Sequence, residues 1–243
     1  MNAPKVRLFM PGLLVQGKSL GLSKDQIHYL ANVLRLSTGS KISLFNEEFG
    51  EWVGELIELT KKLGVIRIKH QLKPSKMEYG VWLAFSPLKK SRTDFIVEKA
   101  TELGIERLIP VFTEFTVPSR VNLLRLSAVA REAAEQCGRL SIPLMRKTFS
   151  LTEFIKWWPI DRLLFYGDET GNGVSLKAAI EEKKIEGNKN CGFLIGPEGG
   201  FSQYEHANLS SISRFQAIDL GPRVLRAETA AIAAISAWEI LNQ

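Results

Sequence analysis

Leu194-Ile195-Gly196-Pro197-Glu198-Gly199-Gly200 and Leu220-Gly221-Pro222-Arg223-Val224-Leu225-Arg226 decide the fold of this 243-residue chain. Each completes a short apolar run, Cys191 to Ile195 and Gln216 to Leu220, that reads as a buried strand. Each then leads into a helical pattern, from Ser202 in one case and over Ala227 to Leu241 in the other. The two segments are therefore strand-to-helix turns. Loops beyond the carboxyl ends of strands are where open α/β sheets bind ligands, so two turns of this kind predict one shared site.

The same alternation extends back to Tyr79. Val81 to Phe85, Arg107 to Phe112 and Leu163 to Tyr166 read as further strands. Helices are predicted between them: one opened by Ser91, with Asp94 three residues on, and stopped by Gly104; one over Val121 to Cys137; one over Leu176 to Lys183. Repeated βα units imply a largely parallel sheet with helices on both faces, an α/β domain over 79–243. Residues 1–72 read differently. Strand-like runs at Val6 to Met10, Lys41 to Phe45, Glu51 to Leu59 and Gly64 to His70 surround one helix, which starts at the capping box Ser23-Lys24-Asp25-Gln26 and continues through Ile27, Leu30, Ala31 and Leu34. This is a small β-barrel, separated from the α/β domain by a polar, proline-containing linker over 73–78.

Composition bounds the function. Hydrophobic content of 45% with 24% charged residues is that of a globular protein, and neither a membrane span nor a signal-peptide core is apparent, so a cytoplasmic location is expected. Cys137 and Cys191 have no Cys-x-x-Cys companion, and His28, His70 and His206 are scattered, so no metal site or nucleophilic triad is read. The net charge is +6 with an isoelectric point near 9.3. Residues 1–72 hold ten Lys or Arg against six acids, most of that excess, which points to nucleic acid, with a solvated basic face as the plain alternative.

The chemistry of the two turns narrows the ligand. Gly196, Gly199 and Gly200 let the backbone approach a ligand, and Pro197 stiffens the turn. Ser202 and Glu205 form a second capping box, so the following helix needs no ligand to satisfy its amides. A triphosphate loop lacks its Gly-Lys-Ser/Thr ending here and would meet the carboxylate of Glu198, and the Gly-x-Gly-x-x-Gly dinucleotide fingerprint is absent. A purine nucleoside without a phosphate chain fits better, with Leu194, Ile195, Leu220 and Leu225 covering its faces. S-adenosylmethionine has that character, since its sulfonium tolerates a nearby carboxylate. Arg223 and Arg226 in the second turn suit anion stabilisation, or are solvated charges.

An ordered set of segments then resembles the bacterial ribosomal RNA small subunit methyltransferase E family, uridine N3-methyltransferases of the SPOUT class. It comprises Arg7; His28 followed by Val33-Leu34-Arg35-Leu36; Lys89 and Arg92 ahead of Lys99-Ala100-Thr101-Glu102-Leu103-Gly104; Glu135-Gln136-Cys137-Gly138-Arg139 with Pro143; and the two turns. The resemblance implies a PUA-like RNA-binding N-terminal domain, a C-terminal methyltransferase domain tied in a trefoil knot, S-adenosylmethionine as methyl donor, 16S ribosomal RNA in the small subunit as substrate, and a homodimer. It implies cofactor contacts from Leu194, Ile195, Gly196, Glu198, Gly199, Gly200, Leu220, Gly221, Val224 and Leu225. Arg226, Lys89 and Arg92 become the catalytic candidates, and Arg7 and Arg35 the RNA-binding ones. Asn46-Glu47-Glu48 departs from the Asp-Gly usual in the family, and Glu98 stands where a Gln is common.

Methylation at uridine N3 needs an unpaired or flipped base and a cation near the developing anion. Glu198 and Glu228 are open as proton acceptors. On the last helix, Ala230, Ala233, Ala234 and Ala237 form a small-residue face with Ile232, Ile235 and Trp238 around it; it packs either on its own sheet or on a second copy. The alternatives in function are a related enzyme acting on another RNA or on ribose 2′-oxygen, and a non-catalytic RNA-binding assembly protein.

Overall fold

The computed structural model describes residues 4–76, 80–182 and 191–241. They form two compact units, the first made of residues 4–76 with Ala134–Ser141 and the second of the remainder. The short segment Ala134–Ser141 thus leaves the α/β domain to which sequence order assigns it. Residues 77 and 78 of the expected linker, and Lys183 of an expected helix, lie outside the described residues.

In the first unit, strands β1 (Arg7–Phe9), β2 (Ser19–Gly21), β3 (Lys41–Asn46), β4 (Gly50–Leu59) and β5 (Gly64–Lys73) form a mixed sheet in the order β1-β3-β4-β5-β2. The β1–β3 pair is parallel and the others are antiparallel. Register shifts between β4 and β5 at Glu51/Trp52, Val53/Gly54 and Leu56/Glu58 are the bulges by which a short sheet increases its twist. Inward residues Leu8, Ile42, Leu44, Leu56, Ile66 and Ile68 enclose a core closed by Leu30. The helix comes as read: Ser23 and Gln26 cap α1 (Lys24–His28) reciprocally. It then widens into one π-helical turn, Tyr29–Val33, and Arg35 leaves it with φ +53°, the single positive φ outside glycine among the described residues.

The second unit contains β6 (Trp82–Phe85), α2 (Lys90–Glu102), β7 (Arg107–Phe112), α3 (Leu123–Cys137, ending in the first unit), β8 (Leu144–Met145), β9 (Phe149–Ser150), α4 (Leu151–Trp157), β10 (Leu163–Gly167), β11 (Val174–Ser175), α5 (Leu176–Glu182), β12 (Cys191–Ile195), α6 (Gln203–Ser210), β13 (Phe215–Asp219) and α7 (Ala227–Leu241). The sheet is parallel throughout, ordered β11-β13-β10-β12-β6-β7-β8, with β9 also on β7. Alternate residues feed opposite faces, as a pleated strand dictates. Leu83, Phe85, Phe165, Phe193 and Ile195 pack with α2, α3, α5 and α7, whereas Trp82, Ala84, Leu164, Tyr166 and Leu194 pack with α4, α6 and Phe201.

Three local expectations change. Ser91 does not cap α2: the helix begins at Lys90 after the extended Lys89, and the Thr93 hydroxyl accepts from Leu88 N and donates to Leu88 O, both at 2.9 Å. α3 starts at Leu123 because Asn122 Oδ1 accepts from Arg125 N at 3.0 Å, an asparagine cap. On α7 the expected face divides: Ala234, Ile235 and Trp238 are buried in the unit's own core, whereas Ala230, Ala233 and Ala237 are half-buried. Among the described residues no helix is long and apolar enough to cross a membrane.

Candidate functional site

Strands β13, β10 and β12 are neighbours, so the loops leaving their carboxyl ends converge. Two are the turns read from the sequence. The third, Asp168 to Gly171 after β10, lies between them. Together they line a cavity of about 320 Å3, at the lower end of the range for small-molecule sites.

Of the expected contacts, Ile195, Gly196, Glu198, Gly200, Leu220, Gly221, Val224 and Leu225 line it. Leu194 does not: the alternation that sends Ile195 to the cavity side sends Leu194, fully buried, into the opposite core. Gly199 is not part of the lining either, and a Cβ there would lie 2.9 Å from Phe115 Cβ, so its lack of a side chain accommodates Phe115. Gly200 has φ +68°, and a Cβ on it would collide with Glu169 Oε1. It therefore admits a carboxylate of the β10 loop, which accepts from Phe201 N at 3.1 Å. Gly221, with φ +117°, donates to Asp219 Oδ1 at 2.9 Å and shapes the second turn.

The lining chemistry is lopsided. Among the described residues, Asp168, Glu169, Glu198 and Asp219 are its acids and Arg223 its one base. Ile195, Ile218, Leu220, Leu225 and Ala227 supply apolar surface. Such a cavity repels a phosphate chain and suits a flat apolar group joined to a cationic centre. Asp168 Oδ1 is occupied by Thr170 N at 2.9 Å and Thr170 Oγ1 at 2.7 Å. His206 Nε2 lies 3.5 Å from Glu169 Oε1, and one ligating atom from each of Asp168, Glu169 and His206 falls within 4.8 Å of the others, a grouping hidden by their separation in sequence.

Arg92 joins α2 to the first turn and to the start of α7. Its Nη1 donates to Glu198 Oε1 at 2.6 Å, and its Nε lies 3.6 Å from Glu228 Oε1 in the first turn of α7. Glu228 Oε2 is buried and has no hydrogen-bond partner among the described residues. Lys89 and Arg226 are exposed and form no ion pair among the described residues. The capping box of α6 is formed by Ser202 and Glu205, and Glu205 Oε1 also accepts from Glu114 N at 2.9 Å.

Residues 75–239 match the model of an RNA methyltransferase domain, and residues 22–69 that of an RNA methyltransferase PUA domain. A ribosomal RNA small subunit methyltransferase E of Rickettsia conorii is 31% identical to the chain over 97% of its length and 96% of the relative's. The chain belongs to the ribosomal RNA small subunit methyltransferase E family. A second relative of that description, from Buchnera aphidicola, is 30% identical over 96% of this chain and 95% of its own. A ribosomal RNA small subunit methyltransferase E of Neisseria gonorrhoeae, solved bound to S-adenosylmethionine, superposes with a TM-score of 0.84 at 26% identity, covering 97% of each chain. A Legionella pneumophila protein solved with the same cofactor gives 0.86 at 27% identity, covering 98% of each. The second unit is thus a SPOUT-class methyltransferase fold and the first a PUA-like one.

The two arginines expected to bind RNA differ sharply in this family member. Arg35 is exposed, in its left-handed conformation. Arg7 is turned inward: Nε donates to Glu51 Oε1 at 2.8 Å, Nη1 to Ala134 O and Glu135 O at 2.8 and 3.3 Å, and Nη2 to Arg139 O at 2.9 Å. Its guanidinium also lies over the Phe45 ring, 4.1 Å from the centroid. The fork of Arg7 is thus committed within the first unit, whereas that of Arg35 is exposed.

Proposed function

We propose that this RNA methyltransferase transfers the methyl group of S-adenosylmethionine to N3 of a uridine in 16S ribosomal RNA, within the structured small subunit in the cytoplasm. The observation that carries the proposal is the lining of the three-loop cavity, four acids and one arginine around an apolar floor, with the lining carboxylate Glu198 bonded to Arg92. Bound there, S-adenosylmethionine supplies an electrophilic methyl on a sulfonium. Ile195, Leu220 and Leu225 would hold the adenine, and the carboxylates would favour the positive end. Arg92, oriented by Glu198 and Glu228, stabilises negative charge developing on the uracil as its imide proton leaves. Arg226 and Lys89, exposed and without an ion pair among the described residues, add positive potential for the same purpose. Glu198, which lines the cavity, and Glu228, which pairs with Arg92 from α7, are the candidates to accept that proton.

N3 sits on the Watson–Crick edge, so the target must leave its pair before it reaches this cluster. Arg35 and the basic surface of the first unit would hold the flanking RNA. The chain is proposed to work as a homodimer; exposed apolar side chains support this, with Val224 at 84% beside the cavity and Ile240 at 72% near the end of α7. Sedimentation of a fully active monomer at assay concentration would exclude it.

The deciding experiment is mass spectrometry of small subunits incubated with the protein and S-adenosylmethionine. N3-methyluridine at one position is the expected product. Only 2′-O-methylated nucleotides would show the other chemistry, and RNA binding without cofactor binding would show an assembly protein.

A further inference from the structure

The second unit carries another concavity, an open groove of about 890 Å3 between the start of α2 and the segment leading into α3. Its charge is the reverse of the cofactor cavity's. Among the described residues, Lys89, Lys90, Arg120 and Arg125 line it and no acid does. Arg125 is bonded to Asp94, whereas Lys89, Lys90 and Arg120 are exposed without an ion pair among the described residues. Holding three such cations around one groove is self-repulsive unless an anion arrives, and a groove of one sign concentrates its field on that anion. The groove also presents apolar surface, Val117 at 76% and Leu124 at 87% exposure. Cations interleaved with apolar side chains match a strand that has both phosphates and ring faces.

Position ties this groove to the reaction. Lys90 and Arg92 are two residues apart in the first turn of α2, about 3 Å along the helix axis. One reaches the groove, while the other is bonded to Glu198 in the cofactor cavity. Lys89, which also lines the groove, accepts from Arg92 N at 2.9 Å through its carbonyl, so a strand lying there would run past the start of the helix that carries Arg92.

We propose that this groove seats the sugar-phosphate backbone of the ribosomal RNA next to the target uridine, with Lys90 and Arg120 contacting phosphates. The inference rests on the reading of the chain as an enzyme acting on ribosomal RNA, and it moves part of RNA recognition from the PUA-like unit to the methyltransferase unit.

The test is the double variant Lys90→Ala/Arg120→Ala, both exposed positions, assayed with unmethylated small subunits and S-adenosylmethionine. KM for subunits is expected to rise about tenfold with kcat within about twofold, and the log–log salt slope of RNA binding to fall by roughly 1.4, the value for two single-strand phosphate contacts. Calorimetric affinity for S-adenosylmethionine should not change. Unaltered KM and salt slope in a variant that methylates normally would overturn the groove assignment and leave the enzymatic reading standing. A shift in sedimentation with an unchanged salt slope would also overturn it, marking the groove as a contact between protein chains. Failure of the unaltered protein to methylate any ribosomal RNA would overturn the reading beneath.

Discussion

Arg7→Ala should destabilise the first unit rather than weaken its grip on RNA. Glu51 has a side chain only 3% exposed, and Arg7 one only 11% exposed. Burial pushes the Glu51 carboxyl up, but hydrogen bonds from Arg7 and Ser43, the Arg7 charge and Lys73 together outweigh it and hold the group below its ordinary value of 4.5. Removing Arg7 leaves that carboxylate buried with Ser43 and the half-exposed Lys73 as its partners among the described residues, and takes one donor from each of three carbonyls. Breaking a buried pair on one side costs about 3–5 kcal/mol, against a total stability of about 5–15 kcal/mol for a typical domain. Arg7→Lys keeps the charge but replaces a fork that spans Glu51 and three carbonyls with one ammonium, so it should recover only part of the loss. Hydrogen exchange in urea, followed by mass spectrometry on peptides covering residues 41–59, isolates this unit from the other. Full protection in Arg7→Ala, together with an RNA salt slope reduced by about one, would refute the structural assignment and restore Arg7 as a phosphate contact.

The same buried carboxylate sets an acid limit. A depressed carboxyl contributes stability that is present above 4.5 and is lost as pH falls through the lower folded value, so acid unfolding of the first unit should shift in Glu51→Gln, as circular dichroism at graded pH would show. Gly200→Ala imposes a left-handed φ on a residue with a side chain, at about 1–2 kcal/mol, and displaces Glu169 from Phe201 N; weaker S-adenosylmethionine binding by calorimetry and a lower melting temperature should appear together. Glu198→Gln weakens the hold on Arg92, so single-turnover methyl transfer should slow more than RNA affinity changes, and equal effects on both would argue against Arg92 acting at the uracil. Burial pushes the Cys191 thiol up, while Cys137 is exposed; a thiol-reactive dye should therefore label Cys137 and spare Cys191 until the protein unfolds.

Much of this architecture is legible in short stretches. The apolar runs that became β7 and β12 coincide with the observed strands, and the capping boxes at Ser23 and Ser202 mark helix starts because they are contained in four consecutive residues. A third box, Ser150 with Glu153, opens α4 and is just as local, four consecutive residues ahead of the buried Phe154. The start of α2 misleads because its closing hydroxyl is that of Thr93, inside the first turn. Both ligand turns were visible for the same local reason.

What the sequence by itself determined is the order of elements, the basic N-terminal unit, the two turns and the family. Tertiary structure decided who meets whom. The route from β12 to β13 crosses β10, and that crossover places the Asp168–Gly171 loop at the centre of a site whose other two loops carry the recognisable motifs. It also decided that Arg92 finds Glu198 106 residues away, and that Arg7, in outline another basic surface residue, is spent on Glu51 and three carbonyls. Propensity, caps and turns act over a few residues and are written where they act. The partner of a charged side chain depends on which strands the chain crosses before they pair, and no local stretch records that.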